Sequence, residues 1–333
     1  MTIKRETEIK TETIHGPLSG DKIRILVIAG PTAAGKTAFA IEAARKFNGE
    51  IVSCDSMQLY RGMDIGSAKP TPEERAQVPH HLIDCIDPAA SDGEFSVARY
   101  AEMAKDIIAD IAARGKLPVI AGGTGLYLNA LLYEMDFADA PKDPALRSQL
   151  EEIADREGSA ALHQMLMDQD PAAAERIHPN NTKKLIRALE RLAQGEKDVQ
   201  PFDACRRENP LYDPLLVCLT RDRQELYDQI NARVLQMMDA GLVEEVRGLA
   251  QQGLSEEYIS MLGIGYKEIF RYLRGEDDLE TTIDTIQKNT RHLAKRQLTW
   301  FRRYDKMFWF NISDYADDRE AVKEFLAWLD QNL

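Results

Sequence analysis

No run of the sequence is apolar for the ~18 residues that a membrane-spanning helix needs, which excludes a helical integral membrane protein. The four cysteines, Cys54, Cys85, Cys205 and Cys218, lie 31, 120 and 13 residues apart, and none belongs to a CxxC pair. A zinc ribbon and a redox dithiol are therefore not encoded, and cysteines without a pattern fit a reducing, cytoplasmic setting. Cys54, Cys85 and Cys218 stand in apolar surroundings and are expected as small core residues. The opening segment, MTIKRETEIKTETIHG, lacks the roughly 7–15-residue apolar stretch of a secretion signal, and residues 1–22 are expected as a flexible leader. An excess of positive charge is missing too. The chain carries 42 Lys and Arg against 55 Asp and Glu, a net charge of −13, so no whole-surface attraction draws it to nucleic acid. A polyanionic partner has to be met by a local basic cluster.

What is present is an alternating pattern over 333 residues, 44% of them hydrophobic. Ile23–Ala29 (IRILVIA) has strand length and is followed by a Gly-rich turn. Residues 37–47 then place Phe39, Ala40, Ala43, Ala44 and Phe47 at helical spacing, and residues 51–53 form a second short strand. Residues 97–114 are an amphipathic helix with Tyr100, Ala104, Ile107, Ile108 and Ile111 on its apolar side. Residues 117–121 (LPVIA) are a buried strand running into Gly122-Gly123-Thr124-Gly125. Short apolar strands alternating with helices predict a parallel sheet covered on both faces. After Tyr133 the character changes: residues 134–180 are helical, broken by Pro141, Pro144, Pro171 and Pro179, with no strand. Strand character returns at residues 215–219, and helices are expected over 224–238, 243–251, 279–303 and 320–333.

Gly30-Pro31-Thr32-Ala33-Ala34-Gly35-Lys36-Thr37 fits GxxxxGK[ST] between a strand and a helix. Backbone N–H groups at the helix start, aided by the helix dipole, stabilise an anion there. Lys36 adds a point charge, and the Thr37 hydroxyl is placed to ligate Mg²⁺. A merely tight turn would need neither residue. The expected fold is therefore α/β: a P-loop NTPase/kinase-like parallel-sheet core over 23–133 and 211–333, an all-helical insertion over 134–210 and a helical C-terminal region. The motif says phosphate without saying which. An ATP-driven machine also needs an acidic residue ending an apolar strand, and the nearest candidate, His81-Leu82-Ile83-Asp84, is short and weak.

Asp55 follows the second strand, at the carboxyl edge where open parallel sheets bind ligands. It reads as a general base, with a helix N-cap as the plainer alternative. Thr124 sits at the same edge between glycines, either to donate to a leaving oxygen or simply in a turn that needs them. Arg221 and Arg223 follow the strand at 215–219, where a guanidinium fork can grip a diphosphate; the residues alone do not choose between them. Basic charge is clustered twice. Residues 176–197 carry Arg176, Lys183, Lys184, Arg187, Arg191 and Lys197 against Glu190 and Glu196. Residues 287–306 carry Lys288, Arg291, Lys295, Arg296, Arg302, Arg303 and Lys306 against Asp305 alone. Such strips suit backbone phosphates, although neither has the interleaved aromatics of a base-stacking platform.

Long ordered stretches carry a resemblance: GPTAAGKT at 30–37, VSCDSMQLYRGMDIGSAKP at 52–70, PHHLIDCIDP at 79–88, LPVIAGGTGLYL at 117–128, RIHPNNTKKLIRALE at 176–190, LGIGYKE at 262–268 and TRHLAKRQLTWFR at 290–302. In these the chain resembles the bacterial-type tRNA dimethylallyltransferases, also called tRNA isopentenyltransferases. The resemblance implies transfer of a dimethylallyl group from its diphosphate to N6 of adenine 37 of tRNA. It implies that residues 30–37 grip the prenyl diphosphate instead of ATP, with Mg²⁺ at Thr37, Asp55 as general base, Thr124 at the bridging oxygen and Arg223 as the diphosphate arginine. It further implies contacts to the tRNA anticodon stem-loop from Asp55, Ser56, Met57 and Gln58, from Lys183, Lys184, Leu185, Ile186 and Arg187, from Gly265, Tyr266 and Lys267, and from Lys295, Arg296 and Gln297. The helical insertion would clasp the tRNA stem, and the family habit is a monomer. A prenyltransferase acting on free adenine nucleotides, or a metabolite kinase, would have no use for the two basic strips.

Overall fold

The computed structural model describes residues 22–90, 96–135, 143–195 and 207–333. Residues 1–21 of the leader, Lys197 and Cys205 lie outside these residues. The chain divides into two compact units: residues up to Leu132 together with Asn209–Leu333, and Tyr133–Glu208.

Among the described residues, the first unit is built on six parallel strands. They are β1 (Ile23–Ala29), β2 (Gly49–Ser53), β3 (His80–His81), β4 (Leu117–Gly122), β5 (Tyr212–Thr220) and β6 (Phe308–Asn311). Their order is β3-β2-β4-β1-β5-β6. β1 is central, pairing Leu26 with Val119 of β4 and with Leu215 of β5. Helix α1 (Lys36–Lys46) follows the Gly-rich turn, α2 (Pro72–Arg75) is one capped turn, α3 (Val97–Ala113) leads into β4, and α4 (Gly125–Leu132) leaves it. Leu26 and Ile28 join Phe39, Val119, Val217 and Phe325 in a core on one face of the sheet. Ile25 and Val27, also buried, point to the opposite face by strand alternation. Phe39 meets Phe325 edge-on at 5.2 Å, and Tyr100 of α3 stacks on Tyr127 of α4 at 4.0 Å. Each such buried ring contributes about 1.5–3 kcal/mol of transfer free energy.

Strands β2, β3, β5 and β6 differ from the expectation by more than one residue: β2 begins two residues earlier, and β3, a two-residue strand at one edge of the sheet, gave no expectation. β5 begins three residues earlier than the apolar run and includes Pro214. Proline is tolerated there because β6 pairs only with Val217–Thr220, so around Pro214 the strand has a neighbour on one side alone. β6 gave no expectation: it is an edge strand of four residues.

The second unit is helical: α5 (Pro144–Glu157), α6 (Ser159–Gln169), α7 (Pro171–Arg176) and α8 (Thr182–Ala193). Prolines stand at the first helical position of α5 and α7, where no N–H is needed. Leu150, Leu162, Leu166, Leu185, Ile186 and Leu189 form its core. Where this segment departs, the Asn209 N–H donates to the Leu132 carbonyl at 2.9 Å, and Asn209 Nδ2 donates to Leu131 O at 2.9 Å.

Returning to the first unit, β5 is followed by α9 (Arg223–Asp239), α10 (Leu242–Gln251), α11 (Tyr266–Leu273), α12 (Leu279–Phe301) and, after β6, α13 (Asp318–Asn332). Val234, Leu242, Val246, Tyr266, Ile269 and Ile286 make a second core among α9 to α12. No helix among the described residues is long and apolar enough to cross a membrane.

Candidate active site

Four loops meet at the carboxyl edge of the sheet because their strands are neighbours in the order β2-β4-β1-β5. They carry, in that order, Asp55, Thr124, residues 30–37 and Arg221. A cavity of about 390 Å³ opens here, bounded by the phosphate loop, the 55–70 loop, α9, α12 and Gly265.

In the phosphate loop, Thr32, Ala33, Gly35, Lys36 and Thr37 line the cavity. Gly30 does not. Its φ is +152°, and a Cβ there would lie 2.5 Å from the Leu219 carbonyl oxygen, so its role is to let β1 and β5 approach. Ala34 also turns away, its methyl fully buried in the sheet core, which leaves only its backbone for an anion. Lys36 Nζ donates to the Pro31 carbonyl at 2.8 Å. Burial pulls the Lys36 ammonium down to about 8, with Asp55 opposing that shift and Arg233 adding to it. These electrostatic couplings put all three charges around one space.

Asp55 lines the cavity, and its Oδ1 accepts the Met57 N–H at 2.9 Å, so the carboxylate both stabilises its own turn and faces the cavity. Base and cap are thus compatible. The Thr124 hydroxyl accepts the Ser56 N–H at 3.0 Å, and the Thr124 N–H donates to the Cys54 carbonyl. Gly122 is required by close approach, since a Cβ there would stand 2.1 Å from the Cys54 carbonyl oxygen. Burial pushes the Cys54 thiol up to about 12, so it is no nucleophile at neutral pH.

The arginine expected for a diphosphate, Arg223, is exposed at the start of α9 with its guanidinium 5.3 Å from the Tyr227 ring centre, and it does not line the cavity. Arg221 is buried and spent on ion pairs with Glu225 and Asp318. The arginine that does reach the cavity is Arg233, nearly three turns into α9. Burial lowers its affinity for a proton while Asp55 and Glu74 oppose that, and it makes no hydrogen bond or ion pair to another described residue. A signal for it exists in the sequence: Arg233 falls at i+3 from Ile230 and beside Val234, on the apolar stripe of α9.

The weak acidic candidate Asp84 is not a phosphate-site carboxylate. It has φ +57° and pairs with Lys69 at 2.5 Å and Arg75 at 2.8 Å, and those cations hold its carboxyl below the usual range against the opposing effect of burial. Lys69, almost fully enclosed, also binds Asp64 and the Tyr60 carbonyl, fastening the 55–70 loop.

The residues expected to meet RNA fall into two sets. Lys183, Lys184 and Arg187 are exposed on α8, and Lys295 and Arg296 are exposed on α12. Leu185 and Ile186 are instead core residues of the helical unit, because α8 turns every third or fourth side chain inward. Tyr266 is fully buried, its hydroxyl donating to Glu245 at 2.8 Å. Gly265 lines the cavity in a left-handed conformation (φ +99°), and Lys267 lies 3.7 Å from Glu268. Met57 and Gln58 line the cavity, Gln58 accepting from the Ser53 hydroxyl at 2.9 Å; Ser56 is half-buried beside them. Gln297 points inward to the phosphate loop and Gly123. Arg291, from the same basic strip, hydrogen-bonds Asn231 of α9.

An anion cradle, an unpaired arginine and a carboxylate on one cavity, with Ile230, Val234, Met237, Ile286 and Leu293 as an apolar wall, suit a phosphorylated apolar donor and a nucleophile that loses a proton. Residues 58–304 match the profile of the family described as IPP transferase. The chain belongs to this family. Similar members include the tRNA dimethylallyltransferase of Acetivibrio thermocellus, 46% identical over 306 residues, 92% of this chain and 97% of the relative. That of an Exiguobacterium species is 50% identical over 291 residues, 87% and 91% of the two chains. Among solved structures, the full-length tRNA isopentenylpyrophosphate transferase of Bacillus halodurans is 42% identical with a TM-score of 0.69, covering 93% of this chain and 96% of that one. A eukaryotic dimethylallyltransferase acting on tRNA has a TM-score of 0.74 at 27% identity, over 90% of this chain and 75% of its own.

Proposed function

We propose that the chain transfers the dimethylallyl group of dimethylallyl diphosphate to N6 of adenine 37 of tRNA, beside the anticodon, releasing diphosphate. The observation that carries this reading, beside family membership, is the convergence of Lys36, Thr37, Asp55 and Arg233 on one cavity with an apolar wall.

The adenine amine is a poor nucleophile, its lone pair being delocalised into the ring. As N6 attacks the allylic C1, the C1–O bond to the diphosphate breaks and Asp55 accepts the N6 proton. A positioned base contributes roughly 10²–10⁴-fold. Lys36, Arg233 and the loop N–H groups from residue 33 onward stabilise charge building on the departing diphosphate, each preorganised donor contributing about 2.7–4 kcal/mol. Thr124, whose oxygen accepts the Ser56 N–H, directs its own O–H to Ser56 Oγ over a long 3.4 Å, a contact it exchanges for the oxygen being released. The apolar wall excludes water from the developing allylic charge.

Mg²⁺ fits this site. No group of three or more His, Cys, Asp or Glu among the described residues forms a cage, while Thr37, a hydroxyl residue, lines the cavity beside Lys36. That is how Mg²⁺ is commonly held, by few protein ligands and mostly by substrate phosphate oxygens and water. When bound it neutralises diphosphate charge.

We assign RNA phosphate contacts to the exposed Lys183, Lys184 and Arg187 of α8 and to Lys295 and Arg296 of α12, with adenine 37 turned out of its loop to reach Asp55. The test is incubation with Mg²⁺, radiolabelled dimethylallyl diphosphate and an unmodified anticodon stem-loop carrying adenines at 36 to 38, with AMP as a parallel acceptor. A gain of C5H8 on one adenosine of the RNA alone is expected. Label in AMP would move the chain to prenylation of free nucleotides, and no label in either would overturn the proposal.

A further inference from the structure

Gln297 reaches from α12 into the site and uses both ends of its amide. Its Oε1 accepts the Thr32 N–H of the phosphate loop at 2.9 Å, and its Nε2 donates to the Gly123 carbonyl at 3.0 Å. The reverse orientation would set donor against donor and acceptor against acceptor. Gly123 makes the bridge possible, since a Cβ there would stand 2.3 Å from Nε2. The two loops so joined have different tasks. One cradles the diphosphate. The other carries Thr124, whose hydroxyl holds the Ser56 N–H next to Asp55.

The geometry points to Gln297 as a positioning residue of the transfer, not an RNA contact: its amide sets the distance between the leaving-group cradle and the base. The inference rests on the proposed function for its chemistry and on the two hydrogen bonds for its geometry. One consequence is immediate. The Thr32 N–H is already taken, so the diphosphate is held by the N–H groups that follow it. Lys295 and Arg296, adjacent on the same helix but exposed, are the residues left to meet RNA.

The experiment is a comparison of Gln297→Met, of similar length but without either hydrogen bond, with the wild-type chain. Prenyl transfer at varied donor and stem-loop concentrations is measured alongside calorimetric titration of inorganic diphosphate with Mg²⁺. Expected are a fall in kcat of roughly 10²-fold, as for a small misplacement of reacting groups, and a KM for the stem-loop within about threefold of wild type. Diphosphate should bind about tenfold more weakly, the equivalent of one lost hydrogen bond to the cradle. A raised stem-loop KM with kcat and diphosphate affinity intact would overturn the inference and return Gln297 to the RNA surface. Unchanged constants throughout would overturn it as well. If Gln297→Met does not fold, Gln297→Glu takes its place: it keeps an acceptor for Thr32 but sets an anion against the Gly123 carbonyl and the diphosphate. The same losses are then expected. A wild-type chain that binds diphosphate but transfers no prenyl group defeats the proposed function, and the diphosphate titrations still decide whether Gln297 shapes the cradle.

Discussion

Thr124 Oγ1 accepts the backbone N–H of Ser56 at 3.0 Å, so the turn after β4 holds the residue beside Asp55. Removing that acceptor while keeping the shape leaves a half-buried N–H unpaired, at a cost of about 1–3 kcal/mol, and loosens the base. Thr124→Val is therefore expected to lower kcat about 10–100-fold, whereas Thr124→Ser, which restores the hydroxyl, stays within a few-fold of wild type. Steady-state rates at saturating RNA distinguish the two; equal activity of Thr124→Val and Thr124→Ser would remove the bond from the mechanism.

The two arginines of α9 give a sharper contrast. Arg233 faces the cavity and Arg223 does not. Arg233→Ala is expected to raise the donor KM or lower kcat by a combined factor of roughly 10²–10³, in line with loss of a preorganised donor. Arg223→Ala should cost far less. Kinetics of both variants with dimethylallyl diphosphate decide which one grips the diphosphate, and a larger loss at Arg223 would reverse the assignment.

Donor affinity should fall in alkali. Lys36 titrates at about 8 in the ligand-free protein, and a bound diphosphate stabilises its ammonium form. Binding is therefore linked to proton uptake, and affinity weakens by up to about tenfold per pH unit above that value. The donor dissociation constant is expected to be flat below about pH 7 and to rise above pH 8. In Asp55→Asn the rise should begin at lower pH, because the carboxylate is what opposes desolvation of Lys36. Titrations at several pH values, run without RNA, check both.

At the opposite end of β2, buried Glu50 is held by Arg114, by Lys116 at 2.7 Å and by His81 at 2.8 Å. The hydrogen bonds from Arg114 above all keep its carboxyl far below the usual range against the cost of burial. A depressed acid contributes stability above its unfolded pKa and loses it as pH falls toward the folded one. Glu50→Gln should cost about 2–3 kcal/mol at neutral pH. The wild-type and variant stabilities should converge progressively below about pH 4. Urea unfolding at neutral and acid pH tests this; a constant gap would remove ionisation from the account.

Much of the core was legible because its signals are local. A strand, a GxxxxGKT turn and a helix adjoin in sequence, so 23–47 announces both its fold and its anion site. Asp55 and Thr124 were legible because parallel strands deliver their carboxyl ends to one edge. Arg233 was not, since no motif surrounds it and its meaning depends on which face of α9 meets the cavity. Gln297 sits in a basic run that groups it with RNA contacts, and only the fold reveals that the helix turns this one amide toward the phosphate loop. Leu185, Ile186 and Tyr266 likewise stand in segments marked for RNA but face inward. β6 escaped because four residues on a sheet edge carry almost no pattern.

The hydrogen bond between Asn209 and Leu132 closes the sheet unit across the point where 76 residues leave it, Tyr133–Glu208. Strand register is thus indifferent to what is threaded through that doorway. The helical segment is a cassette: it can be lengthened, trimmed or exchanged for another between Leu132 and Asn209 while the diphosphate machinery stays in frame. With α8 proposed as an RNA contact, that part of acceptor recognition is open to change separately from the chemistry.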